Sequence, residues 1–496
     1  MYVCSIQKTS MIKLTNLFIS CTAILSFTAA TAQKNIQPVS ISQIDEYIAQ
    51  VQKTSLIPGV SLAIIKNGKI IHRKNYGYAN LENDIPVSDK TIFRLYSLTK
   101  PIVATGVFQL IEKGKLSLED PVSKYIPELP ASWNTIQIKN LLTQSSGLPD
   151  IVKYEKLDEK EATEKVFADP INFKQGEKFE YNQTNFWLLE RVVETVTKRE
   201  IETYIAENQF DGSASKSTVF FSTDSRDIVQ NRATPYFNYA TGSLQMALPY
   251  NGNYLNSCNG LNITMNQFIA WDAKFRNKTI ISDASKAKMW EVFPYTKEKS
   301  QFTSGWDQRI INGHISYGFS GGRITAYRIF PKDDLSIIFL ANGLGGIFNV
   351  ENTINQIAYL LDNDIIDYKV AAYETLLKTA KGDITNLKST FTKLKNDPKY
   401  KEVNFEESLN VIGYIVLNQD KKSNEAITVF QLNAEQHPKS FNTFDSLAEA
   451  YEINKDFEKA ISNYTQAREL NNDEGYRTHI NAKLKELSAA QTSLKK

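Results

Sequence analysis

Two apolar runs joined by a two-residue turn constrain the fold of this chain most. The runs V-S-L-A-I-I and I-I-H lie on either side of Asn67 and Gly68. Asn-Gly between such runs is the strongest short-range signal for a β-hairpin, because both residues tolerate positive φ angles. Apolar residues at helical spacing between Ile44 and Val51 predict a helix before the hairpin. With a further helix after it, this order predicts an antiparallel sheet flanked by helices.

The next segment, F-R-L-Y-S-L-T-K-P-I-V-A, places Ser97 three residues ahead of Lys100 at the start of a predicted helix. Pro101 is tolerated there because its missing N–H falls in the first turn. Positions i and i+3 share a helix face, so the hydroxyl and the amine point into one space. The positive end of the helix dipole favours an oxyanion and a neutral lysine, which can accept the serine proton. Because an S-x-x-K string also occurs by chance, it needs companions elsewhere in the chain.

The N-terminus predicts export. Lys13 precedes an apolar run over residues 17–27, and small residues follow up to Ala32, which is the pattern of a secretory signal peptide. We expect residues 1–32 to be removed, which leaves a periplasmic or secreted protein. The run is too short for a transmembrane anchor. A lipid anchor on Cys21 is the weaker alternative, because the apolar run continues beyond that residue.

Composition and charge narrow the range of function classes that the chain can have. The chain has 496 residues, of which 42% are hydrophobic and 23% charged, so it is globular with room for two or three domains. Removing the signal peptide lowers the basic residues from 57 to 55, equal to the 55 acidic ones, and this balance excludes a nucleic-acid footprint. Cys258 would then remain as a single cysteine, which we interpret as a small apolar filler. We expect no metal and no cofactor.

Two downstream strings are candidates for site elements. L-L-T-Q-S-S-G-L-P, over residues 141–149, predicts a rigid loop or merely a turn. Tyr181 stands just ahead of a helix whose apolar face includes Leu188 and Val192. It is either a half-buried rim residue or, beside an ammonium group, a partner in proton transfer. A further helix, capped by Thr264, is predicted after residue 259.

Two alternating runs near residue 330 predict paired strands of the same sheet. They read Y-G-F-S-G-G-R-I-T-A-Y-R-I-F-P and D-L-S-I-I-F-L-A-N-G, with a turn at Pro331. The first contains a G-x-S-x-G match around Ser320, but a nucleophile elbow needs a helix after it and a strand is predicted instead. The sequence does not favour a Ser-His-Asp triad, since His72 and His314 lie in predicted strand or turn segments.

The chain becomes polar, lysine-rich and helical after residue 362. Two units, over residues 409–438 and 444–467, follow tetratricopeptide spacing. We predict a tetratricopeptide-like domain over 401–496 and a helical linker or degenerate repeat over 363–400. Because fewer than three good repeats are marginal alone, these helices either pack on the preceding domain or dock a protein partner.

Taken together, residues 44–361 resemble the serine β-lactamase and penicillin-binding-protein superfamily, in particular the class C β-lactamase-like serine hydrolases. The resemblance rests on I-P-G-V-S-L-A-I-I-K-N-G-K, F-R-L-Y-S-L-T-K, L-L-T-Q-S-S-G-L-P and the Tyr181 segment, in this order. It implies an α+β fold over residues 33–362, in which a five-stranded antiparallel sheet and its flanking helices form an α/β sandwich beside a helical subdomain. The all-α tetratricopeptide-like domain would follow.

The resemblance also implies roles for individual residues. Ser97 would be the nucleophile, Lys100 its base or proton shuttle, and Tyr181 the second acid–base group. Backbone N–H groups of Ser97 and Gly322 would form the oxyanion hole. The substrate-binding residues would be Gln183, Phe319, Ser320, Gly321 and Arg323.

Two departures from the family pattern bear on the substrate. The usual Y-x-N motif reads Tyr181-Asn182-Gln183, and the third motif has Phe319 in place of a cation. Losing one active-site donor costs roughly a hundredfold in rate, which disfavours β-lactams unless Arg323 restores the charge. We expect an exported serine acyl-hydrolase for ester, amide or peptide bonds, including peptidoglycan-related or D-amino-acid peptides. The alternative is a catalytically weak penicillin-binding-like protein that docks a partner through its repeats.

Overall fold

The computed structural model describes residues 41–210, 219–237, 244–346 and 348–494. The predicted signal peptide, residues 1–32, lies outside these ranges, so its cleavage and the export of the protein stay predictions. Within the described ranges, no helix is both long and apolar enough to cross a membrane.

The described residues contain short and long strands that group into one large and two small sheets. In chain order they are β1 (Gly59–Lys66), β2 (Lys69–Asn80), β3 (Ile85–Pro86), β4 (Ile92–Arg94), β5 (Val219–Phe221), β6 (Tyr236–Phe237), β7 (Leu261–Thr264), β8 (Asp307–Ile311), β9 (His314–Gly321), β10 (Thr325–Phe330), β11 (Leu335–Ala341) and β12 (Gly343–Leu344).

The α-helices of the described residues fall into a group around the sheets and a C-terminal group. In chain order they are α1 (Ile41–Ser55), α2 (Thr99–Glu112), α3 (Ile138–Leu142), α4 (Glu159–Ala168), α5 (Gln183–Thr197), α6 (Ile201–Gln209), α7 (Asn256–Asn259), α8 (Met265–Arg276), α9 (Asp283–Met289), α10 (Val350–Leu361), α11 (Tyr368–Gly382), α12 (Leu387–Asn396), α13 (Phe405–Tyr414), α14 (Ser423–Gln436), α15 (Phe441–Ile453), α16 (Phe457–Leu470) and α17 (Glu474–Leu494).

The large sheet has the strand order β3-β2-β1-β11-β10-β9-β8, and all its pairings are antiparallel. The predicted hairpin is confirmed: β1 pairs with β2, and the turn residues Asn67 and Gly68 have φ angles of +51° and +71°. The sheet has seven strands rather than five, because the short β3 and the unpredicted β8 extend its two edges.

One predicted strand proved to be two. The run up to Pro331 breaks at Gly322 and Arg323, whose φ angles are +55° and +65°, and the chain folds back so that β9 pairs with β10. Positive φ is open to glycine without steric cost and is uncommon for arginine. The predicted pairing of the second run is confirmed, since β10 pairs with β11.

Each face of the sheet carries its own apolar core. Side chains alternate along β1, so Leu62 and Ile64 pack under α1 and α10, whereas Ala63 faces the helical subdomain. On the subdomain side, α2 is buried almost from end to end, which is typical of a helix that is apolar all round. Burial of each large apolar side chain contributes about 1.5–3 kcal/mol. The sandwich therefore holds α2 firmly against the sheet.

The C-terminal helices α11 to α17 form an all-helical region with a separate apolar core. Close packing requires glycine at Gly413, where a Cβ atom would lie 2.4 Å from the ring of Phe430. The region also contacts the sheet-covering helices: the hydroxyl of Tyr47 donates to Glu374 (3.3 Å), and Asn355 donates to Asp367 (2.8 Å). The helices therefore pack on the preceding part of the chain. Their tetratricopeptide identity stays a prediction.

Candidate active site

Ser97 lies on a 3₁₀ turn, Tyr96–Leu98, that leads directly into α2. Tyr96 has a φ angle of +52°, an uncommon conformation for a bulky residue that surrounding contacts must hold in place. Two hydrogen bonds do so: the amide of Leu95 donates to the Leu261 carbonyl (2.8 Å), and the Thr99 hydroxyl donates to the Tyr96 carbonyl (2.7 Å). The helix predicted near Ser97 is therefore present, with a tighter first turn.

The hydroxyl of Ser97 bridges two side chains. The phenol of Tyr181 donates to Ser97 Oγ over 2.7 Å, and Ser97 Oγ donates to Asn259 Oδ1 over 3.0 Å. Tyr181 is 36% exposed, so this end of the hydrogen-bonded chain is open to an incoming molecule. Tyr181 thus lies at the partly exposed edge of the site with its phenol in direct contact with the serine, and its part in proton transfer stays a prediction.

Lys100 is fully buried behind this pair. Its Nζ donates to Gln183 Oε1 (2.8 Å) and to the Cys258 carbonyl (3.0 Å), and it lies 4.8 Å from the ring centre of Tyr181. Among the described residues, no carboxylate lies within 4.0 Å of it, so neutral oxygens and aromatic faces supply its surroundings. Such groups stabilise a buried ammonium less than a carboxylate does.

The positive charge of Lys100 acts on the nearby carboxyl group of Asp150. Burial raises the pKa of Asp150, whereas hydrogen bonds from the amides of Val152 and Gln183 and the charge of Lys100 act in the opposite direction. The Gln183 amide donates to Asp150 over 3.1 Å. Asp150 therefore holds the first residue of α5 in place and makes no direct hydrogen bond to the lysine.

The Tyr181 segment is anchored by the loop over residues 141–149. The Asn182 side chain caps α5 by accepting from the Thr184 amide (2.7 Å), and the backbone amide of Asn182 donates to Gln144 Oε1 (3.0 Å). In the loop, a Cβ atom on Gly147 would lie 1.9 Å from the Phe173 carbonyl oxygen. These contacts make the segment a rigid support for the tyrosine rather than a simple turn.

Strand β9 borders the site on the opposite side. The Phe319 ring stacks on the Tyr181 ring with centroids 6.1 Å apart. Two residues on, a Cβ atom on Gly321 would lie 1.9 Å from the Leu95 carbonyl oxygen, and one on Gly322 would lie 2.8 Å from the ring of Tyr96. The end of β9 therefore passes in close contact with the Ser97 turn.

Ser320 and Arg323 are not brought to this site. Because side chains alternate along a strand, Ser320 points to the other face of the sheet, where it hydrogen-bonds Glu351. Arg323 lies on the β9–β10 turn, not on the strand, and with Ser320 it lines a cavity of about 500 Å³ beside the C-terminal helices. The structure therefore does not bring these two side chains to Ser97, and their substrate-binding role stays a prediction.

Two contacts of the site were missed in the sequence: the Asn259 side chain and the Cys258 carbonyl. Asn259 precedes β7 (Leu261–Thr264), so the helix capped by Thr264 begins only at Met265. The Cys258 thiol is buried and donates to the Gln183 carbonyl (3.3 Å), and burial raises its pKa to about 12. That environment agrees with an unreactive filler. No local pattern marks Asn259, because its partner lies 162 residues away.

A serine beside a buried lysine and a tyrosine, set between an antiparallel sheet and a helical subdomain, is the arrangement of the β-lactamase and penicillin-binding fold. The model of the beta-lactamase family matches residues 44–361, and the chain belongs to this family.

Known relatives agree with this assignment. Protein flp of Staphylococcus aureus (strain MW2) is 32% identical over 323 residues, which are 61% of this chain and 63% of that protein. The chain thus spans less than two thirds of that relative.

Solved structures share the fold. A penicillin-binding protein homologue from Pyrococcus abyssi, described as octameric, superposes with a TM-score of 0.56 and 22% identity, covering 68% of this chain and 82% of its own. A D-amino acid amidase from Ochrobactrum anthropi SV3, complexed with D-phenylalanine, has a TM-score of 0.55 and 17% identity, with 65% and 97% covered. At these identities the likeness concerns the fold alone.

Proposed function

We propose that this protein is an exported serine acyl-hydrolase that works through an acyl-enzyme on ester, amide or peptide bonds. The observation that carries the proposal is the 2.7 Å contact between Tyr181 and Ser97, with the buried Lys100 beneath it. A serine hydroxyl becomes a nucleophile when neighbouring groups can remove its proton. A site for passive binding has no need of this set of three.

In the proposed acylation step, Ser97 Oγ attacks the carbonyl carbon of the substrate, and its proton passes to the pair formed by Tyr181 and Lys100. The backbone N–H groups of Ser97 and Gly322 stabilise the oxyanion. When the tetrahedral intermediate collapses, the bond from the carbonyl carbon to the leaving oxygen or nitrogen breaks. The leaving group takes the proton from the same pair, and Ser97 remains esterified.

In the proposed deacylation step, water attacks the ester carbon and gives one proton to the pair of Tyr181 and Lys100. The bond to Ser97 Oγ then breaks, and Oγ takes that proton back, so the enzyme returns to its starting state. Gln183 supports both steps, because its side-chain oxygen accepts from Lys100 over 2.8 Å and fixes the lysine. This contact supports the proposal that the Gln183 amide takes the place of the asparagine in the family motif.

We propose that the bond cleaved lies next to an uncharged group. Phe319 stacks on Tyr181, where the family has a cation, and Phe302 packs edge-on against it with centroids 5.9 Å apart. An aromatic wall favours apolar groups and gives a carboxylate no partner. Neutral esters and amides, including amides of D-amino acids and peptidoglycan-related peptides, are therefore favoured over penicillins.

The test is hydrolysis of p-nitrophenyl butyrate compared with benzylpenicillin, with wild type and Ser97→Ala assayed side by side. We expect measurable turnover of the ester, much slower turnover of the penicillin, and neither reaction in the variant. Equal ester turnover by folded Ser97→Ala would remove the proposal. Faster turnover of the penicillin would remove the assignment of an uncharged substrate.

The C-terminal helices do not enter this chemistry. The division at residue 363, the tetratricopeptide identity of residues 401–496 and a protein partner for them stay predictions. Absence of turnover would favour the alternative, a catalytically weak penicillin-binding-like protein that binds a ligand and docks a partner through its C-terminal helices.

A further inference from the structure

The Ser97 hydroxyl has two side-chain partners, and only Tyr181 belongs to the proposed acid–base groups. The other is Asn259, whose Oδ1 accepts a hydrogen bond from the serine hydroxyl over 3.0 Å. Asn259 is 9% exposed, so the bond lies out of bulk water. It therefore defines the direction of the serine O–H before a substrate binds.

An amide oxygen is too weak a base to remove this proton, so Asn259 does not act as the general base. It acts on geometry instead. A hydroxyl oxygen that donates one bond keeps its lone pairs for acceptance, and the bond to Asn259 leaves a lone pair of Ser97 directed at the Tyr181 phenol, 2.7 Å away. The two oxygens between which a proton must pass are thus aligned in advance.

The backbone around Asn259 is fixed from several sides. The Gly260 carbonyl accepts from the Ser222 amide (2.7 Å). The Leu261 amide is also held in place, because it donates to the Thr99 hydroxyl (3.2 Å) at the start of α2. On the other side, the Ser257 hydroxyl donates to the Phe186 carbonyl on α5 (3.0 Å). The segment therefore ties the nucleophile helix to the tyrosine helix.

The neighbouring residue of the same segment holds the lysine. The Cys258 carbonyl accepts from Lys100 Nζ over 3.0 Å, and consecutive Cα atoms are about 3.8 Å apart. One peptide unit thus sets the spacing between the acceptor for Ser97 and an acceptor for Lys100. A small displacement of this unit would move both groups at once.

We propose that Asn259 is a positioning residue for the nucleophile: its side-chain carbonyl orients the Ser97 hydroxyl so that Oγ faces Tyr181 at hydrogen-bonding distance. This inference rests on the proposed acyl-hydrolase function. It assigns to the Cys258–Asn259 unit a role that the motifs in the sequence do not mark.

The experiment compares the second-order rate constant for labelling by a fluorophosphonate in wild type, Asn259→Ala and Asn256→Ala. Asn256 lies on the same short helix, and its side chain bonds Glu202 instead of the serine. We expect Asn259→Ala to label about 10- to 100-fold more slowly, since misplacement of a reacting group by about 1 Å costs up to that much. Asn256→Ala should label within about twofold of wild type. Thermal melts verify that each variant is folded.

Asn259→Asp supplies a readout that a merely structural role would not move. The carboxylate keeps the acceptor in place, so labelling should recover towards the wild-type rate at neutral pH. Its protonated form donates to Ser97 as readily as it accepts, so the rate should fall on the acid side with a limb that wild type lacks.

Wild-type labelling rates in folded Asn259→Ala would overturn the positioning role and leave the hydrolase proposal intact. So would an Asn259→Asp rate equal to that of Asn259→Ala at every pH. Absence of labelling in folded wild type would overturn both proposals together.

Discussion

Tyr181 donates its phenolic proton to Ser97 Oγ across 2.7 Å. In the proposed mechanism this direction marks a resting state, because the phenol must give up its proton before it can take one from the serine. In the proposed mechanism Lys100 receives that proton, and its Nζ lies 4.8 Å from the centre of the same ring. In the proposed mechanism, the three residues form one proton-transfer unit.

Tyr181→Phe should lower both acylation and deacylation by roughly 10²- to 10⁴-fold, the usual contribution of a positioned acid–base group. The ring and its stacking on Phe319 are kept, so the loss reports the hydroxyl alone. With substrate in excess, the stopped-flow burst of p-nitrophenol measures acylation, and the steady-state phase after the burst measures deacylation. Tyr317→Phe is the matched control, because Tyr317 stacks on Trp290 away from Ser97. Equal losses in both variants would contradict the assignment.

Phe319→Lys should increase the reaction with carboxylate-bearing substrates. It returns a cation to the strand position beside Tyr181, where one donor contributes roughly a hundredfold in rate. The measurement is the rate of acylation by benzylpenicillin relative to that by p-nitrophenyl butyrate. Phe319→Leu removes the same ring contacts without adding charge and should show no such change in preference. If lysine and leucine variants gave the same ratio, the missing cation would not be what sets the preference.

Gly321→Ala should abolish labelling of Ser97 and lower the melting temperature. A Cβ atom there would lie 1.9 Å from the Leu95 carbonyl oxygen, so β9 must move away from the Ser97 turn. Gly382→Ala is the control, because nothing lies within 4 Å of a Cβ atom at that position. The control should melt at or slightly above the wild-type temperature. Normal labelling by Gly321→Ala would show that this close approach does not matter.

Glu351→Gln should destabilise the fold, and the loss should depend on pH. Burial pushes the pKa of Glu351 up, but Arg328 (3.1 Å) and Arg309 (3.4 Å) hold it below its ordinary value of 4.5. A lowered pKa contributes stability above that value, and the contribution disappears as the pH falls through the pKa of the folded state. Breaking a buried pair costs about 3–5 kcal/mol at neutral pH.

Urea unfolding followed by tryptophan fluorescence at pH 7 and pH 4 measures this effect. The difference between wild type and Glu351→Gln should be smaller at pH 4. Glu207→Gln removes an exposed pair with Arg199 and should change stability little at either pH. A pH-independent difference would mean that Glu351 acts through packing and not through its charge.

Local signals predicted much of the fold. The Asn67-Gly68 hairpin, the helix before it and the helix after Tyr181 all depend on residues close in sequence, and each is present. The break between β9 and β10 was missed, because alternation continues through Gly322 and only pairing with a neighbouring strand reveals the turn. That error also misplaced Arg323.

Some residues of the candidate site could be predicted from local sequence, and others could not. Ser97, Lys100 and Tyr181 stand in recognisable strings, so sequence alone brought them forward. Asn259 could not be found, since its contact with Ser97 exists only when two segments meet across the fold. The contact with the Cys258 carbonyl could not be predicted either, because every residue has a backbone carbonyl and the residue type does not show which one is used.

The most direct test of Ser97 as the nucleophile is the intact mass of the protein after incubation with a fluorophosphonate, for wild type and Ser97→Ala. We expect one added phosphonyl group in wild type, mapped to Ser97 by peptide mass, and an unchanged mass in the variant. An unmodified wild type that is shown to be folded, or equal modification of Ser97→Ala, would contradict this assignment.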